Sequence, residues 1–289
     1  MPAFQSEPLH ADFGVKITEL DLGQSLDGET IADLHEAIDR HSFLWFPDQP
    51  FTDERQLAVT KALGTPEPGH VQLGEEGRIE YFGTIGNVQP DGTALGSSAK
   101  KTIFLTGNNM WHSDSSFREV PSYVSLMAAY ETPAEGGETL FVSTRAAHAR
   151  LGADEQDRLA PLIAIHDYTY SRSKVAPDAV SPSLSKSLPP VRQRLVRRNP
   201  RTGEKNLYMG SHAREIEGMG VEEGRSLLDD LVARAIEPQH ILSHRWQPGD
   251  FVIWDNRCLL HAGAGYDADK YRRYMRQTRV QGQCNTLAE

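Results

Sequence analysis

Three residues that could bind one metal ion stand out by their type and spacing: His112, Asp114 and His261. His112 and Asp114 are two positions apart, so in an extended segment both side chains leave the same face, with Cα atoms ~6.6 Å apart. His261 must then come from a distant segment that packs opposite them. Two imidazoles and one carboxylate are the ligand set of non-haem Fe(II) oxygenases, which leaves the other face of the ion open.

Two arginines downstream of His261 supply the second chemical feature. In a strand, the side chains of Arg272 and Arg276 share one face and Arg273 lies on the other. We expect Arg272 and Arg276 to point inward, because buried guanidinium groups would then bind organic anions through paired hydrogen bonds. An unpaired buried charge costs several kcal/mol, so two inward arginines imply two anions. The alternative is an exposed basic strand paired with nearby aspartates.

Two other functions fit the same metal ligands. Two histidines and an aspartate also suit a zinc hydrolase with an activated water. No residue near the motif is recognisable as its general base, and Arg272 would have no defined task there. The third possibility is a non-catalytic jelly-roll binding module in which the histidines are structural.

Composition restricts the partners. The 289 residues carry a net charge of −10, and an acidic chain lacks the positive surface that nucleic acids and anionic membranes require. We therefore expect a small anionic organic substrate and neither nucleic acid nor membrane as a partner. The two cysteines, Cys258 and Cys284, are expected to be reduced thiols in a cytoplasmic protein, since the first residues do not resemble a signal peptide.

Hydrophobic spacing predicts a mainly β protein with helical decoration, a β-sandwich or jelly roll in one domain over residues 1–289. Helices are predicted over 29–41, 55–63, 143–150, 155–164 and 221–236. Strands are predicted over 42–47, 122–129, 139–142, 240–246, 250–254 and 273–281. The strands 240–246 and 250–254 are expected to form a hairpin, since a tight turn joins them. Long loops or insertions are expected near 65–101 and 166–204.

Three motifs together resemble the taurine/2,4-dichlorophenoxyacetate dioxygenase family. They are NNMWHSDSSF over 108–117, EGGET over 135–139, and WDNRCLLH over 254–261 followed by Arg272. The resemblance implies a double-stranded β-helix that uses Fe(II) as cofactor and 2-oxoglutarate and O2 as co-substrates. It is closer to the aryloxyalkanoate branch than to the taurine branch. The implied reaction is hydroxylation of a small carboxylate with ether cleavage, releasing succinate and CO2, with an alkyl-sulfonate substrate as the alternative.

By position, the resemblance also implies site residues. The iron ligands would be His112, Asp114 and His261. The residues around 2-oxoglutarate would be Thr139, Arg272 and Asn108. The residues around the prime substrate would be Arg276, Ser115, His70 and His212.

Two of these assignments have a specific origin. Phenoxyacetate-degrading relatives hold the substrate carboxylate with loop lysines. In the corresponding loops this chain has Gln72 and Thr93 instead, so His70 is a candidate for the role of those lysines. His212 is a candidate for the substrate pocket, with a structural histidine as the alternative. A homo-oligomer is also expected, since relatives commonly assemble.

Overall fold

The computed structural model describes residues 4–49, 51–69, 80–89, 91–176 and 180–289. Its largest element is a seven-stranded sheet with the order β1-β2-β3-β13-β5-β15-β4. Its strands are β1 (Gln5–Pro8), β2 (Val15–Thr18), β3 (Phe43–Phe46), β4 (Gly83–Gly86), β5 (Ser122–Glu131), β13 (Phe251–Asp255) and β15 (Tyr274–Gln281). All its pairings are antiparallel except that of β2 with β3.

A three-stranded antiparallel sheet, in the order β12-β6-β14, packs against the large sheet. Its strands are β6 (Thr139–Ser143), β12 (Leu242–His244) and β14 (Leu259–Gly263). Buried apolar side chains from both sheets form one cluster between them, among them Met127, Phe141, Trp254 and Met275. This layer of apolar contacts positions β14, which carries His261, opposite the large sheet.

Helices α1 (Gly28–His41) and α2 (Asp53–Leu63) cover the other face of the large sheet. Asp27 and Thr52 cap their first turns by accepting hydrogen bonds from backbone N–H groups. Leu34 and Ile38 of α1 lie on one helical face and pack into the core beneath the sheet. The helices predicted over 29–41 and 55–63 are therefore confirmed, as is the helix predicted over 221–236, which is α8 (Val221–Ala235).

The remaining elements lie mainly around the small sheet, apart from the helix Lys100–Leu105, which contacts β4 of the large sheet. Helices are α3 (Lys100–Leu105), α4 (Thr144–Ala149), α5 (Ala153–Leu159), α6 (Tyr168–Ser173) and α7 (Pro182–Ser187). Strands are β7 (Ile163–His166), β8 (Val191–Arg194), β9 (Val196–Arg198), β10 (Lys205–Leu207) and β11 (Ala213–Ile216). They form a sheet of order β11-β7-β8 and the pair β10-β9, and a further apolar cluster joins β7, α8 and β14.

Three predictions about elements were wrong. Strands β12 and β13 do not form a hairpin: β12 pairs with β6 in the small sheet, whereas β13 pairs with β3 and β5 in the large one. The turn at 247–250 therefore carries the chain from one layer to the other. The helix predicted over 155–164 ends at Leu159, because Ile163–His166 forms β7. The region 166–204, expected to be irregular, holds two short helices and two strands.

Over the part of the chain that the structure describes, no helix combines the length and the apolar character needed to span a membrane.

Candidate active site

The backbone itself joins His112 to His261. The N–H of each residue donates to the carbonyl of the other, at 3.0 and 2.8 Å, in an isolated antiparallel bridge. This bridge ties the segment that follows the 3-10 turn Thr106–Asn109 to strand β14, and it brings the two imidazole rings to a centroid distance of 4.2 Å. The expectation that His261 comes from a distant strand is therefore confirmed, but β14 is a hydrogen-bonded neighbour of His112 and does not pack face to face with the His-X-Asp segment.

The ligand atoms of the three residues face one point. Oδ1 of Asp114 lies 3.8 Å from Nε2 of His112 and 3.9 Å from Nε2 of His261. Both separations are shorter than twice a metal–ligand distance of ~2.1 Å, so an ion fits between the carboxylate and either imidazole. All three donor atoms lie within 4.8 Å of one another. The donor set and its spacing therefore fit a divalent metal ion such as Fe(II).

Both imidazoles are prepared to act as neutral ligands. Nδ1 of His112 donates to the carbonyl of Met110 at 2.7 Å, which leaves the lone pair on Nε2 directed at Asp114. Burial lowers the pKa of His112, and it lowers the pKa of His261 to about 3. Because deprotonated imidazole is the form that binds metals, these shifts favour metal binding at neutral pH.

The third group, Asp114, is ionised and oriented by its neighbours. Burial raises its pKa, but the charge of Arg279 and the hydrogen bond from Ser125 oppose burial, and the pKa lies below its usual value. Its Oδ2 atom accepts hydrogen bonds from Ser125 Oγ at 2.6 Å and from Gln277 Nε2 at 2.8 Å. The two oxygens therefore have separate environments, with only Oδ1 turned toward the imidazoles.

A cavity of about 140 Å³ opens beside these ligands. Thr139 at the start of β6 and Asn108 in the 3-10 turn both line it, as expected from the sequence. Oγ of Thr139 accepts a hydrogen bond from Nε1 of Trp246 at 2.9 Å, so the hydroxyl proton is free to be donated elsewhere. Asn108 is held by Arg172, whose guanidinium donates to the side-chain oxygen of Asn108 at 3.0 Å.

The cationic residue of the cavity wall is Arg273, which no sequence expectation placed there. It is buried, and its Nε has no hydrogen-bond partner among the residues the structure describes. Burial lowers its pKa to about 10, so the guanidinium still carries its charge at neutral pH. Strand β4 approaches it closely because Gly86 has no side chain: a Cβ there would lie 2.0 Å from the Arg273 carbonyl oxygen. A buried cation that faces a cavity is a site for an organic anion.

The expectation that Arg272 and Arg276 face inward is wrong. Arg272 lies on the surface, where it pairs with Glu131 at 2.6 Å. Arg276 lies on the helix side of the large sheet and pairs with Asp53 of α2. Met275 is fully buried in the layer between the sheets, and Gln277 and Arg273 line the cavity on the same side. Arg273, rather than Arg272, is therefore the arginine that lines the cavity.

Two of the predicted substrate residues do not line the cavity. Ser115 is buried with its hydroxyl donating to Glu67 at 2.6 Å, which keeps it out of the cavity. His212 is also buried, with Nδ1 2.8 Å from Ser171 Oγ and its ring edge-on to that of His112. This packing fits the alternative stated for His212, a structural histidine outside the substrate pocket. His70 lies outside the described residues.

Sequence reasoning missed the residues that orient Asp114. Ser125 on β5 and Gln277 on β15 lie on strand faces where polar and apolar side chains both point inward. Hydrophobic alternation therefore did not show which face of these strands is the interior one. Asn256 binds three parts of the site: it accepts from the Asp114 N–H, donates to Ser125, and its carbonyl accepts from Ser113. Asn256 lies five residues before His261, in the motif WDNRCLLH, which was the one available signal.

A comparison with protein families identifies the family to which this chain belongs. The profile described as Taurine catabolism dioxygenase TauD, TfdA family matches residues 5–279. The chain belongs to this family. Membership favours the oxygenase interpretation over the zinc hydrolase and the non-catalytic module.

Individual relatives are similar over nearly the whole chain. The alpha-ketoglutarate-dependent 2,4-dichlorophenoxyacetate dioxygenase of Cupriavidus pinatubonensis is 34% identical, over 94% of this chain and 96% of that protein. The (S)-phenoxypropionate/alpha-ketoglutarate-dioxygenase of Sphingobium herbicidovorans is 36% identical, over 97% and 96%. Among solved structures, AAD-2 in complex with Mn(II) and N-oxalylglycine superposes with a TM-score of 0.90 at 34% identity, covering 98% of each chain.

Proposed function

We propose that this protein is an Fe(II)- and 2-oxoglutarate-dependent dioxygenase that hydroxylates a small aryloxyalkanoate-type carboxylate. The carbon attacked carries the ether oxygen, so the hydroxylated product breaks down and the ether is cleaved. Succinate and CO2 are the products from 2-oxoglutarate. The observation that carries this proposal is the convergence of His112, Asp114 and His261 beside a cavity lined by Arg273, whose buried Nε has no hydrogen-bond partner among the described residues.

The fold proposed for this chemistry is a double-stranded β-helix formed by the two facing sheets, in one domain over residues 1–289. The large and small sheets share a buried apolar layer, and the candidate ligands lie at the edge of that layer. The superposition on AAD-2 over 98% of the chain supports this fold.

Each candidate residue has a distinct task in this proposal. His112, Asp114 and His261 would hold the ferrous ion, which together with 2-oxoglutarate and O2 supplies the oxidising power for breaking a C–H bond. Arg273 would bind the far carboxylate of 2-oxoglutarate through paired hydrogen bonds, with the hydroxyl proton of Thr139 as a further donor. The apolar wall around the ligands excludes water, which strengthens these electrostatic contacts.

Apolar, neutral polar and charged side chains line the cavity, and Glu138 is an acidic residue among them. Ile85, Leu105 and Met127 would contact an aryl ring. Among the described lining residues, Arg273 alone has a guanidinium or ammonium group, so the substrate carboxylate would be met by neutral donors. Thr102 is a candidate, because its buried hydroxyl lines the cavity and has no hydrogen-bond partner within the described chain.

Succinate release tests the proposal. The purified protein with Fe(II) and 2-oxoglutarate is offered aryloxyacetates, both enantiomers of aryloxypropionates, taurine and alkyl sulfates. We expect succinate and the matching phenol in equal amounts with at least one aryloxy acid, and none with the His112→Ala variant. Succinate formation only with taurine or an alkyl sulfate would reject the aryloxyalkanoate assignment. If no compound of the panel stimulated succinate formation from 2-oxoglutarate, the proposed activity would be rejected.

A further inference from the structure

A chain of buried hydrogen bonds leads from Asp114 away from the cavity. Gln277 donates from Nε2 to Oδ2 of Asp114 at 2.8 Å, and Arg279 donates from a terminal nitrogen to Oε1 of Gln277 at 3.2 Å. Arg279 in turn donates from Nε to Glu67 at 3.0 Å. These four residues, which we call the Asp114 relay, have buried or largely buried side chains; Asp114 and Gln277 also line the cavity, whereas Glu67 and Arg279 do not.

The relay fixes which end of the Gln277 amide faces Asp114. A carboxamide has one accepting oxygen and one donating nitrogen, and either could point at a neighbour. Arg279 has only donors, so it holds the oxygen of Gln277 and turns the nitrogen toward Asp114. Glu67 holds Arg279 in that position, since it also accepts hydrogen bonds from Ser115 and Ser122.

The second donor to the same oxygen is oriented in a similar way. Ser125 donates to Oδ2 of Asp114, and its own oxygen accepts a hydrogen bond from Nδ2 of Asn256 at 2.9 Å. Both donors are therefore directed at Oδ2 by residues behind them. Oδ1 receives neither of these two hydrogen bonds and is the oxygen that faces His112 and His261.

We infer that Gln277 is a positioning residue that keeps Asp114 as a one-oxygen metal ligand. With Oδ2 held back by Gln277 and Ser125, the carboxylate would offer the ion Oδ1 alone and leave room for the co-substrate. Without the amide donor, Ser125 alone would hold Oδ2, which could then turn toward the ion and compete with that co-substrate. This inference rests on the proposed function, because it takes Asp114 to be a metal ligand.

The test uses Mn(II) and N-oxalylglycine, a stable analogue of 2-oxoglutarate, as probes. The main variant is Gln277→Met, which keeps the length of the side chain and removes both amide groups. Gln277→Asn is the second variant, since its shorter amide cannot span the distance from Arg279 to Asp114. The Mn(II) dissociation constant is measured from the electron paramagnetic resonance signal of free Mn(II). The N-oxalylglycine dissociation constant is then measured by isothermal titration calorimetry at saturating Mn(II).

Gln56→Met is the matched control. Gln56 is fully buried, and its amide donates to the Arg276 carbonyl and to Thr278 on the same strand as Gln277. It has no hydrogen bond to Asp114, so its loss costs stability without changing the metal site. The melting temperature of each variant shows whether it folds.

We expect both Gln277 variants to bind Mn(II) within about threefold of the wild type and to bind N-oxalylglycine on the order of tenfold more weakly, in the range known for residues that orient metal ligands. The Gln56 control should change neither constant. Unchanged N-oxalylglycine binding in a folded Gln277 variant would overturn the inference. A loss of Mn(II) affinity with unaltered analogue binding would also overturn it. If the wild type itself does not bind Mn(II), the proposed function fails instead.

Discussion

Arg273 and Arg272 are consecutive in the chain, yet only the side chain of Arg273 lies in the cavity wall. The guanidinium of Arg273 is buried there, whereas that of Arg272 pairs with Glu131 on the surface. A shift of one residue in the segment that leads into β15 thus decides which arginine can bind a ligand inside the protein.

The two arginines form a natural pair of variant and control. We expect Arg273→Met to weaken binding of N-oxalylglycine in the presence of Mn(II) by about 2 kcal/mol or more, which is roughly thirtyfold, because a buried charge pair loses one partner. Arg272→Met should bind the analogue like the wild type. Calorimetry measures both constants. The reverse pattern would return the anion-binding role to Arg272.

Removal of a proposed ligand should abolish metal binding without unfolding the chain. His112→Ala is expected to weaken Mn(II) binding by more than about 100-fold, beyond the range seen when residues behind a ligand are changed. His148→Ala is the control, since His148 is a buried histidine on α4 outside the cavity. Full Mn(II) affinity in the folded His112 variant would remove this residue from the ligand set.

A buried ion-pair cluster behind the site should matter for stability. Arg257 donates to Asp255 and to Asp39, and all three side chains are buried. We expect Arg257→Met to lower the free energy of unfolding by about 3–5 kcal/mol, because Asp255 remains buried without its counter-charge.

The control for this change is the exposed pair of Arg272 with Glu131, whose loss should cost less than about 1 kcal/mol. Urea unfolding followed by circular dichroism measures the free energy of unfolding of the Arg257→Met and Arg272→Met variants. Equal small losses would show that the cluster around Arg257 is not a determinant of stability.

The sequence predicted the metal ligands and most of the elements that position them. Predicting a metal site from the His-X-Asp pair and the distant His261 needed only the rule that a β fold brings remote segments together. The structure places all three residues around one point. Helix α1 was equally predictable, since its apolar spacing and the Asp27 cap are local signals.

The cationic residue could not be predicted, because strand phase depends on non-local geometry. The loop between β14 and β15 determines which residue enters the sheet first, and the pairing of β15 with β5 also shifts register between Tyr274 and Met275. The Asp114 relay was equally hidden. Gln277, Arg279 and Glu67 are polar residues in the interior, and hydrophobic alternation assigns such residues to the surface.

The bridge between His112 and His261 also has a consequence for how the protein is made. It joins two segments from opposite halves of the chain, so this contact cannot form on the ribosome until strand β14 has emerged. Contacts between residues so far apart in the chain close late and slowly. Capture of a metal ion would therefore report that strand β14 has been synthesised and has paired with the segment around His112.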